Sequence, residues 1–503
     1  MSADLQLSYD EFPYQSFPFP QSHPDRLATI GWLLGMNPAP VDRCRVLEVG
    51  CASGGNLIPM AASLPHCEFV GVDFSPVQIN RGIADIEALG LSNIRLLPMD
   101  IMNFSEEFGV FDYIIAHGVL SWVPTAVQER LFAICARQLS PAGIAYISYN
   151  TLPGWRMRSV VRDAMTYHTR GIADAAMRVA QARAVLNFLA ESVVDDASSY
   201  GKTLRTEAEY LRKQPDYYIL HDHLEAVNEP LYFYQFMERA ARHGLGYLGE
   251  ADFATMLGGE FTPQVAQTLA RVAPDVLKRE QFMDFLRART FRETLLVRED
   301  VVLTRQLSPL RVMSLRIASK AQPLRESPDP HSNAVEEFRT TEGKGMSTPS
   351  RITKAAMRVL ARHWPIALPF DDLVSLAHAL SGASGQAAAN ERALLASELL
   401  QCYAAGVLEL HNTPSPFVID VGERPQASPV ARLHAQRGPQ ATSLRHDHGS
   451  FNDDTRRLFL LLDGTRTRKE IAATLWPGVP EAESMRELDA ALAHLARLAL
   501  IVR

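Results

Sequence analysis

Between residues 45 and 57 the chain reads Arg-Val-Leu-Glu-Val-Gly-Cys-Ala-Ser-Gly-Gly-Asn-Leu, and few folds accommodate such a run. Arg45 to Val49 is mostly apolar and predicts a buried strand, the small residues after it a tight turn, and Leu57 to Leu64 a helix. Gly50, Ala52, Gly54 and Gly55 leave little side chain over the turn. A ligand can therefore lie against the backbone and meet the amides of the helix N-terminus. The expectation is a nucleotide-like ligand.

The pattern that follows alternates. Strands are predicted at Glu68 to Asp73, Ile94 to Met99, Phe111 to His117 and Gly143 to Asn150, with helices at Pro76 to Leu89 and Pro124 to Leu139. Such alternation implies an α/β, doubly wound, Rossmann-like parallel sheet with helices on both faces. Ligands of these sheets bind beyond the carboxyl ends of the strands, where the strand order reverses. Those ends carry Gly50, then Asp73, placed for the hydroxyls of a ribose, then Asp100, suited to an exocyclic amine such as adenine's. The fourth ends on His117 and the fifth on Tyr149 and Asn150.

An acid about twenty residues past the glycines serves NAD or S-adenosylmethionine equally, since both present a ribose. Two letters separate them. Ala52 replaces the glycine where a pyrophosphate needs its closest approach, and Glu48 lies inside the strand where the dinucleotide pattern is apolar. A buried carboxylate is costly unless something cationic or donating meets it, and the charged end of S-adenosylmethionine does so, directly or through water.

Glu48-Val-Gly50-Cys-Ala-Ser-Gly54, followed in order by Asp73 and Asp100, resembles the first motif and the two ligand acids of class I S-adenosylmethionine-dependent methyltransferases. The resemblance implies a cofactor set of Glu48, Gly50, Ala52, Gly54, Asn56, Asp73, Phe74, Asp100, Ile101 and His117. A narrower resemblance covers nearly the whole chain. His117-Gly-Val-Leu-Ser-Trp-Val-Pro124, Ser148-Tyr-Asn-Thr-Leu-Pro-Gly-Trp155, His221-Asp-His-Leu-Glu-Ala-Val-Asn228 and His243-Gly-Leu-Gly-Tyr-Leu-Gly-Glu-Ala251 are similar to bacterial methyltransferases carrying a methyltransferase regulatory domain. That group includes rickettsial protein-lysine methyltransferases, which implies a protein or peptide substrate and a possible homodimer.

Class I folds finish with a helix and two strands, so the sheet of residues 1–155 is expected to be completed within 225–305 by a strand near Tyr247 and an antiparallel strand at Phe291 to Val297. Residues 156–224 then form a helical insertion that dimerises or caps the substrate pocket, with Ala175, Val179, Ala182, Leu186 and Leu189 on one face of a helix. A middle, regulatory region is expected over 225–319 and a mobile linker over 320–348, where prolines and mixed charge gather. Two winged-helix-like units fill 349–503.

Composition narrows the partners. A net charge of −7 argues against a broad nucleic-acid surface, and five cysteines without paired spacing give neither a zinc nor a disulfide framework. No run approaches a membrane span and the first twenty residues are acidic and aromatic, so a cytoplasmic protein without membrane insertion is expected.

Methyl transfer is an in-line displacement, to which alignment contributes on the order of 7–11 kcal/mol. A lysine nucleophile must also lose a proton, at a cost of about 4–5 kcal/mol at neutral pH. The expected catalytic residues are Tyr149, Asn150 and His117; Tyr14, Trp122 and Trp155 are expected to bind substrate. His221-Asp-His223 reads as a helix cap, since residues two apart do not share a helix face, and no metal is expected. The leading reading is N-methylation of a protein lysine; the alternatives are methylation of a small molecule or modified peptide, and a non-catalytic cofactor-sensing interaction protein.

Overall fold

The computed structural model describes residues 16–195, 197–325, 332–381 and 389–502. Seven strands form its main sheet: β1 (Arg45–Val49), β2 (Glu68–Asp73), β3 (Ile94–Pro98), β4 (Phe111–Ala116), β5 (Leu139–Asn150), β6 (Leu245–Glu250) and β7 (Phe291–Arg298). Their order is β3-β2-β1-β4-β5-β7-β6, with β1 to β5 parallel and β7 antiparallel to both its neighbours. The order reverses between β1 and β4, so the crevice of a doubly wound sheet opens there.

Parallel strands are covered on both faces, and their residues alternate between two cores. Leu47, Val49, Val72, Ile114, Ala116, Ile147 and Tyr149 face one core, under the helices Thr125–Gln138 and Phe233–Arg242. Val46, Phe69, Tyr113, Ile115 and Tyr146 face the other, under Pro24–Leu33 and Leu57–Ser63. Glu48 belongs to the second set and is flanked by Gly71 of β2 and Ile115 of β4. A carboxyl on an interior strand of the sheet is thereby largely shielded from water.

Helices Trp155–His168, Ala175–Ser192 and Ser199–Arg212 form the insertion. They have their own apolar core, in which Val179, Ala182 and Leu186 are buried and Ala175 and Leu189 pack at its edge. Among the described residues no helix is long and apolar enough to cross a membrane.

The boundaries near residue 320 need correction. Much of the expected linker is built into the next unit: Gln322–Pro323, Glu336–Arg339 and Gly345–Thr348 make a three-stranded sheet whose Phe338 is buried. The proline-rich letters suggested a linker, but Glu336 and Phe338 alternate inward, Glu336 pairing with Arg358. The unit also begins before residue 320, because Arg316–Ala318 pairs with Leu368–Pro369 and Glu409–His411. Residues 326–331 lie outside the described residues. The last unit packs helices Pro429–Arg437, Asp453–Leu461, Arg468–Leu475 and Glu481–Arg497 with the hairpin Gln440–Thr442 and His448–Ser450.

Candidate active site

A cavity of about 380 Å³ opens over the carboxyl ends of β1, β2, β4 and β5. The turn after β1 forms its floor. Gly50 has φ +74°, and a Cβ there would come within 2.5 Å of Val119, so only glycine lets the chain turn at this point. Ala52 also has positive φ, at 47°. Its N–H donates to Asp73 Oδ2 at 2.8 Å while Ser75 N–H donates to Oδ1 at 2.9 Å, which orients the carboxylate at the end of β2.

Glu48 is buried and lines the cavity. Its Oε1 accepts from Asn56 Nδ2 at 2.8 Å, while Oε2 has no hydrogen-bond partner among the described residues. Burial is the main cause that pushes its carboxyl up to about 8, the Asn56 bond opposing it and the Asp73 charge adding to it. Asn56 in turn accepts from Phe19 N–H at 2.9 Å and exchanges a bond with Ser22. The N-terminal arm thus lies across the turn, where Ser16 Oγ also accepts from Gly55 N–H at 2.8 Å.

His117 stacks on Phe19, ring centres 3.7 Å apart, and its Nδ1 lies 2.8 Å from the Tyr146 hydroxyl. Tyr146 donates to Glu293 Oε1 at 3.0 Å, and Gln21 donates to the same oxygen at 2.7 Å. An oxygen accepting twice carries no proton, so the hydroxyl accepts from His117, and the imidazole proton sits on Nδ1. Burial pushes the imidazole down to about 3. A base that weak cannot store the proton of an amine; what remains for it is to accept a hydrogen bond through Nε2.

The sequence-based site residues divide unevenly. Glu48, Gly50, Ala52, Asn56, Asp73, Phe74, Ile101, His117, Trp122, Asn150 and Trp155 line the cavity. Tyr149 does not: strand residues alternate, Asn150 faces the cavity, and Tyr149 points to the opposite core. There its ring stacks on Phe236 at 4.2 Å and its hydroxyl meets Thr294 Oγ1 at 3.3 Å. Tyr149, expected to be catalytic, is thus a core residue that does not reach the cavity. Tyr149→Phe should lower stability by about 0.5–1.5 kcal/mol, the contribution of one buried hydrogen bond, and leave turnover within twofold, as denaturation and a methyl-transfer assay will show. Gly54 turns from the cavity towards Leu96 and Ile58, so its role is packing. Asp100 caps the turn Ile101–Asn103 by accepting from Met102 N–H at 3.0 Å, and Ile101 rather than Asp100 reaches the wall. Tyr14 lies outside the described residues.

Beyond the β1–β2 floor the cavity runs under the insertion, to a chamber walled by Trp122, Trp155, Arg158, Tyr218, His221 and Asp222. The two indoles meet edge to face at 6.3 Å. Asp222 is not part of a helix cap. It sits in the π-helical turn Ile219–His223 that ends a helical run, with His221 held by Glu225 at 3.2 Å. Burial pushes the Asp222 carboxyl up to about 7, against the nearby His221 and Arg158 charges. The signal was available: Asp222 follows Tyr218 by four residues, the spacing that puts two side chains on one helical face.

This floor fits S-adenosylmethionine on three counts. The Glu48 Oε2 atom without a partner among the described residues suits an ammonium, the carboxylate of Asp73, oriented at the end of β2 on the cavity wall, suits ribose hydroxyls, and the turn at Gly50 admits close approach. Fold and site together define a class I S-adenosylmethionine-dependent methyltransferase.

Comparison with known proteins agrees. A methyltransferase domain model matches residues 46–143, a predicted methyltransferase regulatory domain 215–298, and the C-terminal winged helix domain of PKMT 423–499. The uncharacterized protein RP789 of Rickettsia prowazekii is 36% identical over 486 residues, covering 94% of this chain and 86% of that protein. PKMT2 from Rickettsia typhi superimposes with a TM-score of 0.86 at 28% identity, over 98% of this chain and 100% of its own. A second structure of PKMT2, in complex with AdoHcy, matches with the same score. The chain belongs to this family of methyltransferases with a regulatory domain and a PKMT winged helix.

Proposed function

We propose that the protein methylates the side-chain amine of lysine in a protein substrate. The observation that carries this reading is that Trp122, Trp155 and Tyr218 line the same cavity as Asp222, under the helical insertion. A lysine side chain is a thin apolar stem with a cationic tip, and aromatic walls ending in a carboxylate complement both parts. The likeness to PKMT2 supports the same class of acceptor.

S-adenosylmethionine, when bound, supplies a methyl carbon already activated by its sulfonium. Glu48, kept in place by Asn56, and Asp73 would hold the cofactor over the β1 turn. Withdrawal from water and the Arg158 guanidinium in the same wall disfavour the charged form of the amine, and the Asp222 carboxylate accepts its proton, leaving the nitrogen lone pair free. With a carboxyl pushed up to about 7, Asp222 is matched to working pH as an acceptor, which the imidazole of His117 is not. Asn150, fixed by its backbone to Ser121 and by its side chain to Asn228, offers a neutral polar contact at the mouth of the chamber.

The test is transfer of labelled methyl from the cofactor into a lysate of the source organism, separated into protein, RNA and small-molecule fractions. Label is expected in protein, on lysine side chains. Label confined to the RNA or small-molecule fraction would overturn the reading.

A further inference from the structure

The C-terminal winged helix reaches the cofactor site. Its hairpin turns through Ser443 to Asp447, where Ser443 N–H donates to Asp447 O at 2.7 Å and His446 adopts φ +64°. That turn drives the His446 ring into the interior of the protein, where Nε2 stands 2.7 Å from Asn56 Oδ1. The direction of the bond is fixed by its surroundings. Asn56 Nδ2 is spent on the Glu48 carboxyl at 2.8 Å and on Ser22 Oγ at 3.1 Å, so its carbonyl oxygen is the acceptor and His446 must donate. Burial holds the imidazole well below its ordinary pKa, so the ring is neutral and its proton sits on Nε2.

The tip is anchored on either side of His446. Arg445 Nη2 donates to both carboxylate oxygens of Glu409, at 2.8 and 2.6 Å, and the guanidinium covers the Trp364 ring at 4.3 Å. Glu409 shares His411 with Asp25, at 3.3 and 2.8 Å, and Asp25 opens the helix that follows the N-terminal arm. The arm itself is touched twice more, His446 lying edge-on to His23 at 5.4 Å and His448 against Phe17 at 4.6 Å. On the far side Arg437 pairs with Asp85 of the helix after β2. A wing folded onto its own catalytic domain in this way is not free to enter a nucleic-acid groove.

We propose that this wing tip is a working part of the cofactor site: His446 holds Asn56, and through it the Glu48 carboxyl, in the orientation that receives the cofactor. His446 is thus a positioning residue, and docking of the winged helix and binding of the cofactor are coupled. Coupling between binding events is reciprocal, so the cofactor must tighten the wing by the factor the wing tightens the cofactor. This holds whatever the methyl acceptor proves to be, because it concerns the cofactor end of the cavity alone.

The experiment uses the full chain and S-adenosylhomocysteine as probe. His446→Ala removes the donor and His446→Gln keeps an N–H at comparable reach. Neither is glycine, so the backbone cost of φ +64° is the same in both and their difference reports the hydrogen bond. By calorimetry the alanine variant should bind about three- to tenfold more weakly, the range one buried hydrogen bond contributes, and the glutamine variant should recover most of the loss. In the unmodified protein, amide exchange over residues 440–450 should slow on adding the probe, a readout that needs no variant to fold. Unchanged exchange in this hairpin, or alanine and glutamine variants that bind alike, would overturn the proposal.

Discussion

Glu48→Gln should cost the protein most of its cofactor affinity while leaving the fold intact. At neutral pH the buried carboxyl, pushed up to about 8, is protonated in the cofactor-free protein, and glutamine has the shape and hydrogen-bonding pattern of that neutral acid. The Asn56 bond to Oε1 survives the change. What disappears is the capacity to become an anion when an ammonium arrives. A hydrogen bond to a charged group contributes about 1.5–3 kcal/mol, so the dissociation constant of S-adenosylhomocysteine should rise roughly tenfold to more than a hundredfold.

The same chemistry fixes a pH dependence. A carboxyl whose folded pKa lies above the unfolded value of 4.5 contributes stability that is complete below 4.5 and lost as pH rises through about 8. Cofactor-free protein therefore loses stability at this site over that window, and Glu48→Gln removes the loss. Binding to the unmodified protein at pH 7 should release close to one proton, seen as a dependence of the calorimetric heat on the buffer. A glutamine variant binding within twofold of the parent, or no proton release, would show that Glu48 does not anchor the cofactor.

Much of the floor of the cavity was legible because the chemistry of a parallel sheet is concentrated at strand ends. Glu48, Gly50, Asp73, His117 and Asn150 each lie at a strand end or within one residue of it, and all lie on the cavity wall. Tyr149 was misplaced although the means of excluding it were present, since a period of two forbids Tyr149 and Asn150 from facing the same side. Asp222 was obscured by the two histidines beside it, which suggested a cap and hid the four-residue spacing to Tyr218. His446 had no signal at all. Its contact with Asn56 spans 390 residues of sequence and depends on how a separate unit docks, which no local pattern encodes. The ordered strands within 320–348 were missed for a related reason: a few prolines outweighed the inward alternation of Glu336 and Phe338.

The largest effect on stability is expected away from the cavity, at Arg292. This guanidinium is fully buried on β7, over the ring of Phe233 at 4.0 Å, and bonds Glu250 at 2.6 Å, Asp284 at 2.9 Å and Glu280 at 3.0 Å. Arg289 adds a second cation beside Glu250, at 3.1 Å. Three carboxyls thus face two guanidiniums in a place water does not reach, and the cheapest resolution is one protonated acid. Burial raises Glu280 to about 7 and raises Asp284, whereas at Glu250 burial is outweighed by Arg292 and Arg289, which hold it below its ordinary value. Removing the central cation by Arg292→Leu strands buried carboxylates, and breaking a buried pair in this way costs about 3–5 kcal/mol. Because β7 joins β5 to β6, the loss should appear as early unfolding of the whole sheet. Glu280→Gln should act in the opposite sense. The contribution of an acid raised in the fold is complete below 4.5 and disappears as pH climbs through about 7, so the variant should match the parent near pH 5 and melt higher at pH 8. Thermal unfolding of both variants from pH 5 to 8 checks the account. An Arg292→Leu protein as stable as the parent, or a Glu280→Gln protein that melts lower at pH 8, would mean that the cluster is not short of positive charge.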